Sequence, residues 1–185
     1  AVYSLNPGVD RWTVALELNL TKNLEIESHR FLRAKINNRF AFCYETVDRQ
    51  LKRESEQEQG SINWSQFREA LQHINSKLQE DSIEPYTIDS HKMIEIMMLI
   101  YNKLACETLL KKDLAPILRV HQTPKTDSQL QSHILLPKFL EYESAKYALP
   151  DKGKSQGHYG LGMEYYGHFT SPLRRLVDLY NQLLL

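Results

Sequence analysis

Hydrophobic and polar residues alternate along the first forty positions, as they do in a strand that buries one face. On one face of the first such segment lie Trp12, Val14, Leu16, Leu18 and Leu20. A second segment of the same character runs from Leu24 to Ile36. A period of two residues places every second side chain on the same side of a strand. The pattern therefore predicts two strands, antiparallel or mixed, at the start of the chain.

From Tyr44 onwards the apolar spacing becomes that of an amphipathic helix. Apolar residues recur at intervals of three and four at Trp64, Phe67, Leu71, Ile74 and Leu78. This spacing predicts a second helix that packs one face on a core. A longer helix is predicted from about Ser90 to Lys112, with Asp89 or Ser90 as its N-cap.

The last third of the chain contains shorter predicted elements. A strand is predicted from Pro116 to His121, and a short helix from Ile134 to Glu143. Ser171 followed by Pro172 predicts the N-cap and first turn of a last helix that runs to Leu185. Strands first and packed helices afterwards favour an α+β fold.

Composition excludes several classes of protein. The chain has 185 residues, 42% of them hydrophobic, with 23 basic and 23 acidic side chains, so any polyanion must be bound by a local cluster of residues rather than by net charge. The longest apolar stretch, Met93 to Leu99, is interrupted by Glu95 and is too short to span a bilayer. Cys43 and Cys106, both in apolar surroundings, indicate neither a disulfide framework nor a zinc site. We expect one domain of an intracellular protein that does not associate with membranes. The sequence does not specify the compartment.

One segment combines glycines, hydroxyls and arginines. Five of the seven glycines lie between Gly153 and Gly167, where the backbone can come close to a bulky ligand. The predicted helix start at Ser171 follows, and then Arg174 and Arg175. Helix N-termini favour anions, and arginine matches phosphate oxygens with a bidentate fork. A phosphate site and a capped surface helix with two solvated arginines are equally good interpretations.

Two further groups of polar residues have open interpretations. His91, Glu95 and Asn102 share one stripe of the long apolar helix. They can bind sugar hydroxyls, but spacing alone favours an exposed polar face. Arg119 and His121 point to one side of a strand, where they indicate either an anion site or ion pairs with the domain's own acids. His158 and His168 flank the glycine cluster, and no histidine spacing is typical of zinc ligands.

These segments together resemble the RNB catalytic domain of the ribonuclease II and ribonuclease R family of 3′→5′ exoribonucleases. The strongest similarity lies in Gly157–Gly162, which reads GHYGLG, and in Tyr166–Arg175, which reads YGHFTSPLRR, with Asp178 following. Weaker similarities are spread along the chain in the family's order. They are Ser4–Gly8 with Arg11, Tyr44–Glu45, Ser90–Glu95 with Asn102, Arg119–Pro124, and Ala145–Tyr147.

The resemblance implies a fold, a reaction and a set of site residues. The fold is α+β, part of an RNB-type catalytic domain, and the reaction is hydrolysis of RNA to nucleoside 5′-monophosphates with Mg²⁺. Arg174 and Arg175 are implied as catalytic residues, Arg174 at the scissile phosphate. The implied RNA-binding residues are Tyr44, Glu95, His168, Thr170 and Ser171, with Glu95 at a ribose hydroxyl near the 3′ end.

The chain also departs from the family pattern. The family's cluster of metal-binding aspartates precedes the segment that resembles Ser4–Gly8, and the flanking OB-fold domains have no counterpart here. Aspartates further along this chain, such as Asp10, Asp48, Asp81, Asp89 and Asp113, are scattered and form no such cluster. Ile96, Tyr101 and Leu176 replace residues that the family pattern specifies as Glu, Ala and Tyr.

We therefore expect residues 1–185 to be the C-terminal portion of an RNB domain whose Mg²⁺ ligands lie outside this chain. The expected partners are RNA and either the missing N-terminal half of the domain or another protein chain. The alternative is a catalytically inactive, RNB-derived RNA-binding or structural subunit of a larger assembly.

Overall fold

The structure, a computed structural model, describes residues 4–52, 62–78, 87–122, 144–151 and 156–185. The chain forms two compact units, Ala1–Tyr101 and Asn102–Leu185. The predicted helix from Ile134 to Glu143 lies outside the described residues. The α+β fold is confirmed, with antiparallel strands at the start and helices after them.

A long hairpin opens the first unit. Strand β1, Asp10–Leu20, pairs antiparallel with β2, Ile26–Asn37, and the register shifts between Asn19 and Leu20. The predicted second strand begins two residues too early, because Leu24 has a φ of 63° and belongs to the turn. The Thr21 hydroxyl accepts the Glu25 N–H there. No third strand pairs with this hairpin within the described residues.

Three helices complete the first unit: α1, Tyr44–Lys52, α2, Trp64–Leu78, and α3, Ser90–Lys111, which continues into the second unit. The Asp89 carboxylate accepts the Lys92 N–H at 2.7 Å and so caps α3. The Asp48 carboxylate accepts the Ser90 N–H at 2.7 Å, and hydrogen bonds from Ser90 lower the pKa of Asp48. The start of α3 is thus fixed to α1. Apolar side chains buried in this unit include Val47, Leu51, Trp64, Leu71, Ile74, Leu78, Ile96, Leu99 and Ile100.

The second unit contains the C-terminal part of α3, strands β3, Leu118–Val120, and β4, Lys146–Ala148, and helix α4, Leu176–Leu184. The two strands pair antiparallel, with Arg119 opposite Tyr147. Leu109, Leu118 and Phe169 are fully buried and form part of its core.

The predicted start of the last helix at Ser171 is wrong. Helix α4 begins at Leu176, and its N-cap is Arg175, which has extended backbone angles. Residues 171–174 instead form a separate turn, in which the Ser171 carbonyl accepts the N–H groups of Arg174 and Arg175. The buried Asp178 carboxylate accepts the Ser171 N–H at 2.7 Å, so it binds a backbone group that the first turn of a helix would leave open.

The two cysteines differ in their surroundings. Cys106 is buried, whereas Cys43 is exposed, which corrects the expectation that both lie among apolar residues. Both are free thiols. Among the helices of the described ranges, none has the length and apolarity needed to cross a bilayer.

Candidate functional site

Asn102 fixes the segment from Tyr166 to Phe169 of the second unit by buried hydrogen bonds. Its side chain is 2% exposed. The amide nitrogen donates to the Tyr166 hydroxyl at 3.0 Å, and the amide oxygen accepts the Phe169 N–H at 3.1 Å. Asn102 is therefore a structural residue. The predicted polar stripe is divided, because Glu95, on the same helix, is exposed.

Helix α4 fixes the same segment with two more side-chain amides. Asn181 is fully buried, and its nitrogen donates to the carbonyls of Ile117 and His168 at 3.0 and 3.1 Å. Gln182 donates to the Phe169 carbonyl at 2.6 Å. Sequence reasoning missed both amides as structural residues, and the only signal was a pair of amides in a mostly apolar last helix.

Asp178 makes the two neighbouring arginines chemically different. This carboxylate is fully buried, and Oδ1 accepts both the Ser171 N–H and Nη2 of Arg175, each at 2.7 Å. Arg175 is thus neutralised inside the protein. Arg174 is exposed, and its guanidinium has no partner among the described residues. The Ser171 N–H is occupied by Asp178, so this N–H group is not available to an anion.

His168 is a neutral imidazole next to the turn. Its Nδ1 is 2.9 Å from the Tyr147 hydroxyl. Burial first, and then the charge of Arg175, lower the pKa of His168 to about 4. His168 is therefore a neutral hydrogen-bonding group at neutral pH. Thr170 follows it and is half-buried.

The glycines of the cluster make room for the protein's own side chains. A Cβ on Gly167 would lie 2.8 Å from Sγ of Cys106, and one on Gly160 would lie 2.9 Å from Nδ1 of His121. His121 also accepts the Gly160 N–H at 3.1 Å. At these two positions the expectation that glycine admits a bulky ligand is wrong, because the close neighbour is internal.

The first unit has its own exposed group of candidate residues. The ring of Tyr44 stacks on that of His91, with centroids 4.3 Å apart and an interplanar angle of 14°. Tyr44 remains 52% exposed. Glu95 lies one helical turn beyond His91, and its carboxylate pairs with Lys92 at 3.0 Å. The structure thus presents an aromatic ring and a carboxylate to solvent in the same unit.

The acids of the described residues do not fit a magnesium site. No group of three His, Cys, Asp or Glu side chains in that part of the chain is arranged to hold a metal ion. Magnesium prefers oxygen ligands, usually including one or two carboxylates. Four aspartates already bind other groups: Asp10 binds Lys35 and Asn37, Asp48 binds Ser90, Asp89 binds Lys92, and Asp178 binds Ser171 and Arg175.

Comparison with known proteins gives a consistent family match. The model of the RNB domain matches residues 1–185. Ribonuclease R of Chlamydia pneumoniae is 26% identical over 95% of this chain, and that of Escherichia coli is 24% identical over 95%. The matched regions cover 34% and 29% of those two proteins, so the chain spans about a third of the length of these relatives.

Solved structures share the fold. Mycoplasma genitalium RNase R in complex with ribose-methylated single-stranded RNA has a TM-score of 0.74 and 22% identity, covering 100% of this chain and 38% of that one. Yeast Ssd1, described as a pseudonuclease, has a TM-score of 0.77 and 19% identity, covering 98% of this chain and 29% of that one. The same fold therefore occurs in a ribonuclease and in a protein described as a pseudonuclease.

Proposed function

Because this chain belongs to the RNB domain family, we propose that it is the RNA-binding, phosphate-contacting portion of a 3′→5′ exoribonuclease. Residues 1–185 form the C-terminal portion of the RNB domain in this proposal. Its partners are RNA and the rest of the domain, supplied by the same protein or by another chain. Its location is intracellular.

The observation that supports the proposal best is the difference between Arg174 and Arg175. Arg174 is exposed on a turn that buried hydrogen bonds hold from two sides, through Asp178 and through Asn102. An unpaired guanidinium on a fixed backbone is preorganised to bind phosphate oxygens. Arg175, bound to Asp178, supports the turn. We therefore assign the phosphate contact to Arg174 and a positioning role to Arg175.

Other residues contact the sugar and the neighbouring nucleotides. Glu95 is an exposed carboxylate that accepts a hydrogen bond from a ribose 2′-hydroxyl, the group that distinguishes RNA from DNA. Tyr44 offers an open ring face on which a base stacks. Neutral His168, with Thr170 and Ser171 beside it, binds the chain of nucleotides through uncharged hydrogen bonds.

Magnesium enters the proposal only through the family. When bound, it generates a nucleophilic hydroxide and stabilises charge on the phosphate oxygens. The described residues do not fit its site, so its ligands come from residues outside them. This chain contributes substrate binding and the positive charge of Arg174 to the reaction.

A hydrolysis assay with the 185-residue chain tests this division of labour. We expect the purified chain to bind a single-stranded RNA oligonucleotide but to release no nucleoside monophosphates, with or without added Mg²⁺. Addition of a metal-binding RNB half should restore release. Magnesium-dependent release by the chain alone, with contaminating nuclease excluded by an Arg174→Ala control prepared in parallel, would contradict the proposal.

The second candidate function is that of a non-catalytic RNA-binding subunit. The commitment of Asp10, Asp48, Asp89 and Asp178 to internal contacts favours it, and the fold is compatible with it. The two functions separate on one result. In the non-catalytic case RNA binds, but no metal-binding half restores hydrolysis.

A further inference from the structure

Besides Arg174, a second arginine to consider is Arg119, whose guanidinium is held over an aromatic ring. It lies in the middle of β3, and its backbone N–H donates to the Tyr166 carbonyl at 2.7 Å. Its guanidinium lies 4.7 Å from the centre of the Tyr147 ring, on the paired strand β4. Both the backbone and the side chain of Arg119 are thus held in place.

The charge of Arg119 is not used inside the described part of the chain. No carboxylate in that part lies within ion-pair distance of it, so the expected ion pair with the domain's own acids is not found there. Contact with a ring face leaves the in-plane N–H groups of a guanidinium available to another partner. Tyr147 is 44% exposed, so the stacked pair is accessible from solvent.

Tyr147 connects this arginine to the turn that bears Arg174. The Tyr147 hydroxyl bonds to Nδ1 of His168 at 2.9 Å, two residues before the Thr170–Ser171 pair. Arg119 and Arg175 both act on the imidazole of His168, since each lowers its pKa after burial. Arg175 is paired with Asp178, whose charge acts in the opposite direction, so Arg119 supplies the positive charge near this imidazole that is left to attract a polyanion.

We propose that Arg119, held over Tyr147, binds a second backbone phosphate of single-stranded nucleic acid, distinct from the phosphate that Arg174 contacts. The inference rests on the proposed function, because the ligand is the same RNA strand. Tyr147 acts as the positioning residue that keeps the guanidinium in place.

Salt dependence of binding tests the proposal, because each phosphate contact on a single strand contributes about 0.7 to the slope of log K against log salt. We expect Arg119→Ala to reduce the slope by about 0.7 and to weaken binding about fivefold at 0.1 M salt, which is that slope applied over one decade. Arg119→Lys should keep the slope. The matched control is Arg30→Ala, since Arg30 pairs with Glu17 on the hairpin, and it should change neither quantity.

Two tyrosine variants test the positioning role. Tyr147→Phe keeps the ring and loses the hydroxyl, so the salt slope should remain that of the wild type. Tyr147→Leu removes the ring, so binding should weaken while the charge of Arg119 stays present. Equal binding by Tyr147→Leu and the wild type would overturn the role of Tyr147.

A DNA oligonucleotide of the same sequence distinguishes the phosphate from the ribose. The loss of slope in Arg119→Ala should be equal for RNA and DNA, and a loss confined to RNA would overturn the assignment to phosphate. An unchanged slope in Arg119→Ala, with Arg174→Ala impaired, refutes this inference alone. A changed slope in Arg119→Ala with normal Arg174→Ala refutes the assignment of Arg174 and leaves this inference standing. The circular dichroism spectrum of each variant should match that of the wild type.

Discussion

Removal of the Asp178 carboxylate should destabilise the second unit strongly. Asp178 is fully buried, and a single oxygen, Oδ1, accepts the Ser171 N–H and Nη2 of Arg175 at 2.7 Å each. In Asp178→Ala both donors lose their acceptor, and Arg175 is left as a partly buried charge without its partner.

The size of the effect follows from the burial of the two partners. Breaking a buried ion pair by removing one partner costs about 3–5 kcal/mol. The Arg175 side chain is 27% exposed, so water reaches part of it and the lower end applies. We expect Asp178→Ala to lower the free energy of unfolding by about 3 kcal/mol. Asp178→Asn keeps an oxygen for the Ser171 N–H and should cost about half as much, roughly 1.5 kcal/mol.

Urea unfolding followed by circular dichroism measures these differences. With a slope of about 2 kcal/mol per molar urea, the midpoint for Asp178→Ala should fall by about 1.5 M. The matched control is Asp10→Ala, whose carboxylate pairs with Lys35 at the exposed hairpin, and its midpoint should stay near that of the wild type. A midpoint for Asp178→Ala equal to that of Asp10→Ala would refute the reasoning.

Further predictions concern His168 and His91. The pKa of His168 is about 4 in the fold against 6.5 when unperturbed, so between those values only the unfolded chain binds this proton. The free energy of unfolding should therefore fall as pH drops from 6.5 towards 4. In His168→Gln the fall between pH 6.5 and 5 should be shallower, and a pH profile identical to that of the wild type would contradict the lowered pKa. His91→Ala removes the ring stacked on Tyr44 and should weaken RNA binding about fivefold, since such a ring pair contributes on the order of 1 kcal/mol. His91→Phe keeps a ring and should bind RNA as the wild type does. Equal losses of binding in both variants would mean that stacking is not what His91 provides.

The sequence predicted the elements that depend on local periodicity. The alternation in β1 and the three-and-four spacing in α2 led to the right structures, because each pattern reflects one face of one element. The turn at Leu24 was missed, since its left-handed backbone depends on hydrogen bonds to Thr21 rather than on glycine. Local patterns thus located the elements better than their ends.

The site depended on contacts that local patterns do not contain. Ser171-Pro172 has the sequence of a helix start, but the chain forms a separate turn there, the helix begins at Leu176, and Asp178, seven residues later, accepts the Ser171 N–H. Spacing favoured an exposed polar face for Asn102, but its amide is buried and accepts the N–H of Phe169, 67 residues later. Long-range hydrogen bonds therefore decide which polar residues remain free to bind a ligand.

In the proposed function, Arg174 of this chain binds an RNA phosphate. The most direct measurement is single-turnover cleavage, beside a binding titration, by the complex of this chain with a metal-binding RNB half. Losing one preorganised donor costs on the order of 3 kcal/mol in the transition state, so Arg174→Ala should slow cleavage about a hundredfold while weakening RNA binding much less. Arg174→Lys should restore cleavage only in part, because lysine lacks the planar fork. Equal losses of cleavage and binding in Arg174→Ala, or no loss of either, would contradict the account.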